Sequence, residues 1–188
     1  MTRRADLAND VAEVLLTEAE ITARVQELGR RISEDYAGRE LTLVSVLKGS
    51  LPFMADLMRE ITIPVQIDLM EVSSYGGKAT ENTGLVRILK DLSSNIDGRD
   101  VLVVEDIIDT GLTLNYLMRY LRGKNPASLR ICTLLDKPAR RLVEIAVDYV
   151  GFTIPDRFVI GYGLDYDEVY RNLRFVGVLR PEVYADPG

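Results

Sequence analysis

Histidine is absent from all 188 residues. That removes the serine and cysteine hydrolases that need an imidazole base, histidine-ligated zinc sites and histidine general bases. Acid–base chemistry therefore falls to Asp, Glu, Lys or Tyr, and any metal is expected to be a hard cation held by carboxylates. Cysteine is nearly absent too. Cys132 is the only one, so an intrachain disulfide framework is excluded. It lies within the apolar run 129–135, where a buried structural thiol is expected rather than a nucleophile. No apolar run approaches the roughly 20 residues that cross a bilayer, and none follows the charged residues 1–4. Neither a membrane span nor a secretory signal is expected, and the expected location is the cytoplasm. Positive charge is also in deficit. The 23 Lys and Arg against 29 Asp and Glu leave a net charge of −6, which argues against a nucleic-acid-binding surface. An anionic small-molecule substrate stays compatible, because local charge and backbone donors decide its binding.

The hydrophobic fraction of 47% and the charged fraction of 28% are those of an ordinary globular protein. The length suffices for one core, with at most a small appended subdomain. Residues 1–16 have no clear period and read as a partly ordered leader. Thr17 followed by Glu20 makes a capping-box pattern. Ile21, Val25, Leu28 and Ile32 then recur at helical spacing, which predicts an amphipathic helix over 18–36. Residues 41–47 and 101–104 read as strands buried on both faces. Further strands are expected over 65–73, 86–89 and 128–135, with shorter runs at 147–151, 157–161 and 175–179. Residues 51–60, with Pro52 in the first turn, predict a helix. Leu114, Leu117, Met118 and Leu121 predict another, ended by Gly123. The polar, glycine-containing segment 74–84 is expected to be a mobile loop or hairpin. Strand–helix alternation implies an α/β fold, a parallel sheet with helices on both faces.

The most informative string is VVEDIIDTGLTL, which begins at Val103. A buried strand leads into two adjacent acids, then a third, then Thr-Gly-Leu-Thr opening a helix. In open parallel sheets, ligands bind beyond the carboxyl ends of the strands. Asp109, Thr110, Gly111, Leu112 and Thr113 supply consecutive N–H groups, two hydroxyls and a glycine that permits close approach. With the helix N-terminus they suit a phosphate monoester. Glu105 and Asp106 would repel that phosphate unless they face ribose hydroxyls and a Mg²⁺ ion.

This string resembles the signature of the type I phosphoribosyltransferases, which bind 5-phosphoribosyl-1-pyrophosphate (PRPP), and its Glu-Asp-Ile-Ile-Asp-Thr-Gly form resembles their hypoxanthine-guanine branch. The resemblance implies a central parallel sheet flanked by helices, with a small hood subdomain. It implies one domain over 1–188, with the hood made mainly from about 137–188 and N-terminal residues. Glu105 and Asp106 would then face ribose and metal, Asp109 would be the general base near purine N7, and Asp109, Thr110, Gly111, Leu112 and Thr113 would hold PRPP. Leu112 stands where some family members carry lysine; backbone contacts to phosphate survive that change.

Other segments carry the same resemblance. Lys48 and Gly49 match the pyrophosphate loop, in which a non-proline cis peptide is expected between Leu47 and Lys48. Ser74 and Tyr75 match a lid over the reacting centre, where open water would capture a glycosyl cation. Lys137 matches the lysine that donates to a 6-oxo group; adenine offers no such acceptor. Phe158 would stack on the purine, main-chain groups of Val159 and Asp165 would read its edge, and the Asp165 carboxylate would lie near the metal. Arg171 matches a pyrophosphate-binding arginine. Taken singly, these segments also read as a turn, an exposed hairpin, a surface lysine, a core aromatic and a surface charge. Together they imply transfer of phosphoribose to N9 of a 6-oxopurine, hypoxanthine or guanine, with Mg²⁺, in a homodimer or homotetramer. The same fold in a PRPP- or nucleotide-sensing regulator is the alternative.

Overall fold

The computed structural model of the chain describes residues 7–74 and 86–184. Its elements run β1 (Val11–Leu16), α1 (Glu18–Asp35), β2 (Leu41–Leu47), α2 (Leu51–Glu60), β3 (Val65–Ser74), β4 (Val86–Lys90), β5 (Asp100–Ile108), α3 (Leu112–Arg122), β6 (Ser128–Asp136), β7 (Tyr149–Thr153), β8 (Val159–Ile160), β9 (Val176–Leu179) and α4 (Pro181–Tyr184). Six strands make the central sheet, in the order β4-β3-β2-β5-β6-β7. All are parallel except β4, which returns antiparallel to β3 at the edge. Ser74 closes β3. Tyr75 and the rest of the proposed lid lie outside the described residues.

The helices form where the sequence pattern places them. At the start of α1 the Thr17 N–H donates to Glu20 Oε2 at 2.8 Å, and the Glu20 N–H donates back to Thr17 Oγ1 at 3.3 Å. These two bonds satisfy donors that the first helical turn leaves without intrahelical partners. The stripe Ile21, Val25, Leu28 and Ile32 is buried. It packs with Phe53, Met54 and Leu57 of α2 against Leu41, Leu43, Leu102 and Val104 on one face of the sheet. Gly29 permits the close helix pairing, since a Cβ there would meet the Glu60 backbone at 2.8 Å. On the other face α3 buries Leu114, Leu117, Met118 and Leu121 against Val44, Val101, Val103 and Ile131. The alternation of Val101 and Val103 against Leu102 and Val104 is the two-residue period of a strand covered on both sides. Cys132 is free and fully buried, and burial pushes its thiol pKa up, so it packs rather than reacts.

Three features differ from the sequence reading. Residues 11–16 are no loose leader: β1 pairs antiparallel with β9, which pairs antiparallel with β8, in a separate three-stranded sheet. Only Leu16 of β1 is buried, so no apolar alternation betrays the strand. Second, β5 continues through Ile108 instead of stopping at Val104. Glu105 pairs with Thr133, Ile107 with Leu135 and Ile108 with Asp136; the acids therefore sit in the ladder, at its carboxyl end. Third, β8 and β9 are shorter than the apolar runs that contain them.

Candidate active site

The carboxyl ends of β2, β5 and β6 carry Lys48, Asp109 and Lys137 respectively, so sheet order alone gathers three of the predicted segments. The Leu47–Lys48 peptide is cis, as expected. Beyond β5 the chain turns through Gly111 at φ +82°, a left-handed conformation that suits glycine, and enters α3. A Cβ at Gly111 would also meet Ile145 Cδ1 at 2.9 Å. Thr110 Oγ1 accepts from the Leu112 N–H at 3.4 Å. The first-turn N–H groups of α3 have no intrahelical acceptors. Beside this turn lies a cavity of about 190 Å³ whose lining includes Glu105, Asp109, Thr110, Gly111 and Thr113.

A second cavity, about 370 Å³, lies on the other side of the strand end, lined by Asp106, Ile107, Asp109, Lys137, Phe158 and Asp165, among others. Ile107 and Asp109 line both spaces. Val159 also lines the second, so β8 of the smaller sheet forms part of its wall. Lys137 is only 5% exposed. Among the described residues its ammonium meets one carboxylate, Asp156, at 4.0 Å, too long for a hydrogen bond. The stem is buried and the ammonium has no hydrogen-bond acceptor among the described residues, which leaves it free to donate to a ligand oxygen. Arg140, at the mouth, places Nε 3.2 Å from Asp109 Oδ1 and Nη1 3.7 Å from Asp156 Oδ1. The Asp109 Oδ1 atom is buried and has no aligned hydrogen-bond donor, so Arg140 pairs with its charge while leaving a lone pair unused. A third cavity, of about 630 Å³, is lined by residues of α1, α2 and the segment 171–174, and Arg171 alone of the predicted site residues reaches it.

Strand geometry separates the two adjacent acids. Successive side chains on β5 point to opposite faces: Glu105 lines the 190 Å³ cavity and Asp106 the 370 Å³ one. Asp106 rests against the turn after β2, because a Cβ at Gly49 would fall 1.8 Å from Asp106 Oδ2. Burial pushes the Glu105 pKa well up, helped by the Asp106 charge, and burial pushes Asp106 up to about 6. Opposite them stand two cations. Lys48 Nζ lies 3.1 Å from Glu168 Oε2, and Arg171 Nη2 lies 3.4 Å from Glu168 Oε1. Arg171 also donates to the Gly163 carbonyl at 2.7 Å, while its buried Nε has no partner. Hydrogen bonds from Lys48 and Arg171 hold the Glu168 carboxyl below the usual carboxylate range. Glu168 thus occupies the two cations that a pyrophosphate would claim. Its segment is conformationally costly: Tyr162, Asp167, Glu168 and Tyr170 all have φ between +49° and +78°.

One expected feature is not assembled as the sequence implied. Asp165 does not join Glu105 and Asp106 in one ligand set; its oxygens take Arg171 Nη2 at 2.8 Å and the Glu168 N–H at 2.9 Å. No group of three His, Cys, Asp or Glu side chains converges to hold a metal among the described residues. The donor chemistry still fits a hard divalent ion. Glu105 and Asp106 are acidic oxygens made costly by burial, and Mg²⁺ is commonly held by one or two carboxylates together with substrate oxygens. The sequence reading missed Ile107, Arg140, Asp156 and Glu168. Ile107 was visible inside the acidic string; the others come to the site through contacts that no short motif records.

A parallel sheet whose carboxyl ends carry a glycine turn into a helix, paired acids and a buried lysine has the architecture of an α/β enzyme that binds its ligands beyond the strand ends. The phosphoribosyl transferase domain matches residues 12–167, and the chain belongs to that family. It is 52% identical over 181 residues to the hypoxanthine-guanine phosphoribosyltransferase of Mycobacterium avium, covering 93% of this chain and 89% of that one. With the enzyme of the same name from Bacillus subtilis it shares 49% identity over 178 residues, covering 95% and 98%. A crystal structure of a hypoxanthine phosphoribosyltransferase from Staphylococcus aureus superposes with a TM-score of 0.93 at 50% identity, over 98% of this chain and all of the other. The chain is also 50% identical to the bifunctional protein TilS/HprT of Listeria monocytogenes, of whose length it spans 27%.

Proposed function

We propose that this chain transfers the 5-phosphoribosyl group from PRPP to N9 of a 6-oxopurine, hypoxanthine or guanine, and releases pyrophosphate. The observation that carries the reading is Lys137, a buried side chain whose ammonium has no close carboxylate partner, in the cavity that Asp109 and Phe158 also line. A 6-oxo group accepts from that ammonium, whereas the 6-amino group of adenine does not. Phe158 supplies an apolar face for the base. Thr110, Gly111, Leu112 and Thr113 take the 5-phosphate on N–H groups and hydroxyls. Lys48, Gly49 and Arg171 take the pyrophosphate, displacing Glu168, and their charge stabilises the departing group. Asp109 holds the purine N7 proton as N9 attacks the anomeric carbon. Mg²⁺ brought with PRPP and faced by Glu105 and Asp106 would neutralise charge on the diphosphate. Main-chain groups of Val159 and Asp165 read the purine edge.

The three-stranded sheet and the turns around it serve as the hood of one domain. We place the enzyme in the cytoplasm, where a lone thiol such as Cys132 stays reduced, as a homodimer or homotetramer. A panel of bases with PRPP and Mg²⁺ tests the reading: nucleotide forms from hypoxanthine and guanine and not from adenine. Silence on every base would sink it. Asp109→Asn should lower kcat by about 10²-fold or more with little change in the KM for PRPP. Near-normal turnover in that variant would remove Asp109 from its role.

A further inference from the structure

Phe158 lines the 370 Å³ cavity, yet one face of its ring is already occupied. Tyr184, at the end of α4, stacks on it with ring centroids 5.1 Å apart and planes 27° from parallel. Tyr166 meets the Phe158 ring edge-on, at 5.8 Å and 85°, and approaches Tyr184 at 6.4 Å. Neither tyrosine lines the cavity, so Tyr184 stands on the side of the ring turned away from it. Phe158 and Tyr184 are each 40% exposed, and neither belongs to a buried apolar cluster. The Phe158 ring is therefore held by its two tyrosine neighbours, Tyr184 on its face and Tyr166 at its edge.

The last turn is held where it can do this. The Leu179 N–H donates to the Phe158 carbonyl at 3.0 Å, so the chain leaves β9 directly beside the ring. The Arg180 N–H donates to the Asp10 carbonyl at 2.9 Å, and Arg180 Nε donates to the Asn9 carbonyl at 2.8 Å. Val183 packs against Ile160, Tyr170 and Leu179, and the Tyr170 hydroxyl donates to Asp10 Oδ2 at 2.8 Å. Anchors on both sides of Phe158 thus bring Tyr184 back over it.

We propose that Tyr184 is a positioning residue for the purine: it backs Phe158 and sets the plane on which the base stacks, level with Lys137 and Asp109. This deepens the proposed function and rests on its reading of Phe158 as the stacking surface. An aromatic pair of this geometry shifts an equilibrium by about two- to tenfold. Steady-state kinetics of Tyr184→Ala, Tyr184→Phe and Phe158→Ala, each checked by thermal melting, test it. Tyr184→Ala should raise the KM for hypoxanthine about three- to tenfold, leaving kcat and the KM for PRPP near their starting values. Tyr184→Phe should recover most of that loss, because the ring and not the hydroxyl is used. An unchanged or lowered KM for hypoxanthine in Tyr184→Ala overturns the inference, as does a Tyr184→Phe variant equally impaired. If Phe158→Ala raises that KM and Tyr184→Ala does not, the inference alone falls. If Phe158→Ala leaves it unchanged, the reading of Phe158 falls first and the inference with it.

Discussion

Asp106 shows what a single side chain costs this fold. Its pKa stands at about 6 in the folded chain, against an ordinary 3.8, so the folded state holds the proton more tightly than the unfolded state does. Stability from this group is therefore greatest at low pH and falls as the pH rises from about 4 through 6. Above that range the ligand-free chain carries the cost of a partly buried charge. Asp106→Asn should stabilise the ligand-free chain by about 1–2 kcal/mol near pH 8 and by much less near pH 5. The same change should abolish turnover. Urea unfolding at the two pH values, without PRPP or metal, provides the check; an equal effect at both would show that the carboxylate is not under strain from burial. The sequence exposed Asp106 as a candidate ligand, but its cost depends on Gly49 closing over it, a contact between segments far apart in the chain.

At the scale of elements, the turn after β2 and the turn after β8 touch backbone to backbone. Gly163 has φ +99°, and a Cβ there would fall 1.9 Å from the Gly49 carbonyl oxygen. Gly163→Ala should therefore push the two segments apart and disturb Arg171, which donates to the Gly163 carbonyl. We expect the KM for PRPP to rise about tenfold or more while the KM for hypoxanthine moves little, with a loss of about 1–3 kcal/mol of stability. Kinetics with each substrate varied in turn, beside a thermal melt, decide it. The start of α1 offers a purely structural counterpart: Thr17→Ala removes the capping box and should cost about 1 kcal/mol without changing either KM, as denaturant melts and the same kinetic assays would show. Elements of this kind were legible in different degrees. Thr17, Glu20 and the Ile21–Ile32 spacing announced α1 because its cap and its stripe are both local. The central strands were legible because burial on both faces leaves an unbroken apolar run. The end of β5 was not, since acids in a ladder look like a loop until their partners on β6 are known.

The whole molecule is two sheets that share one site. Residues at the carboxyl ends of the parallel sheet were readable because each motif follows its own strand, and the sheet order brings Lys48, Asp109 and Lys137 together. The smaller sheet was scarcely readable: β1 has one buried residue and its partner β9 lies at the other end of the chain. Deleting residues 1–16 should strip β9 of one neighbour and loosen the Phe158 wall, leaving the central sheet intact. Base binding should weaken strongly, while far-ultraviolet circular dichroism keeps most of its helical signal and calorimetry still detects PRPP. Loss of the whole fold on that deletion would contradict this division. The pairing of Val11 with Leu179 has a further consequence for biosynthesis. The parallel sheet can begin to assemble as its strands leave the ribosome in succession, but β1 must wait for β9 to be made. The catalytic floor can form early in translation, and its roof only once nearly all of these residues have been joined.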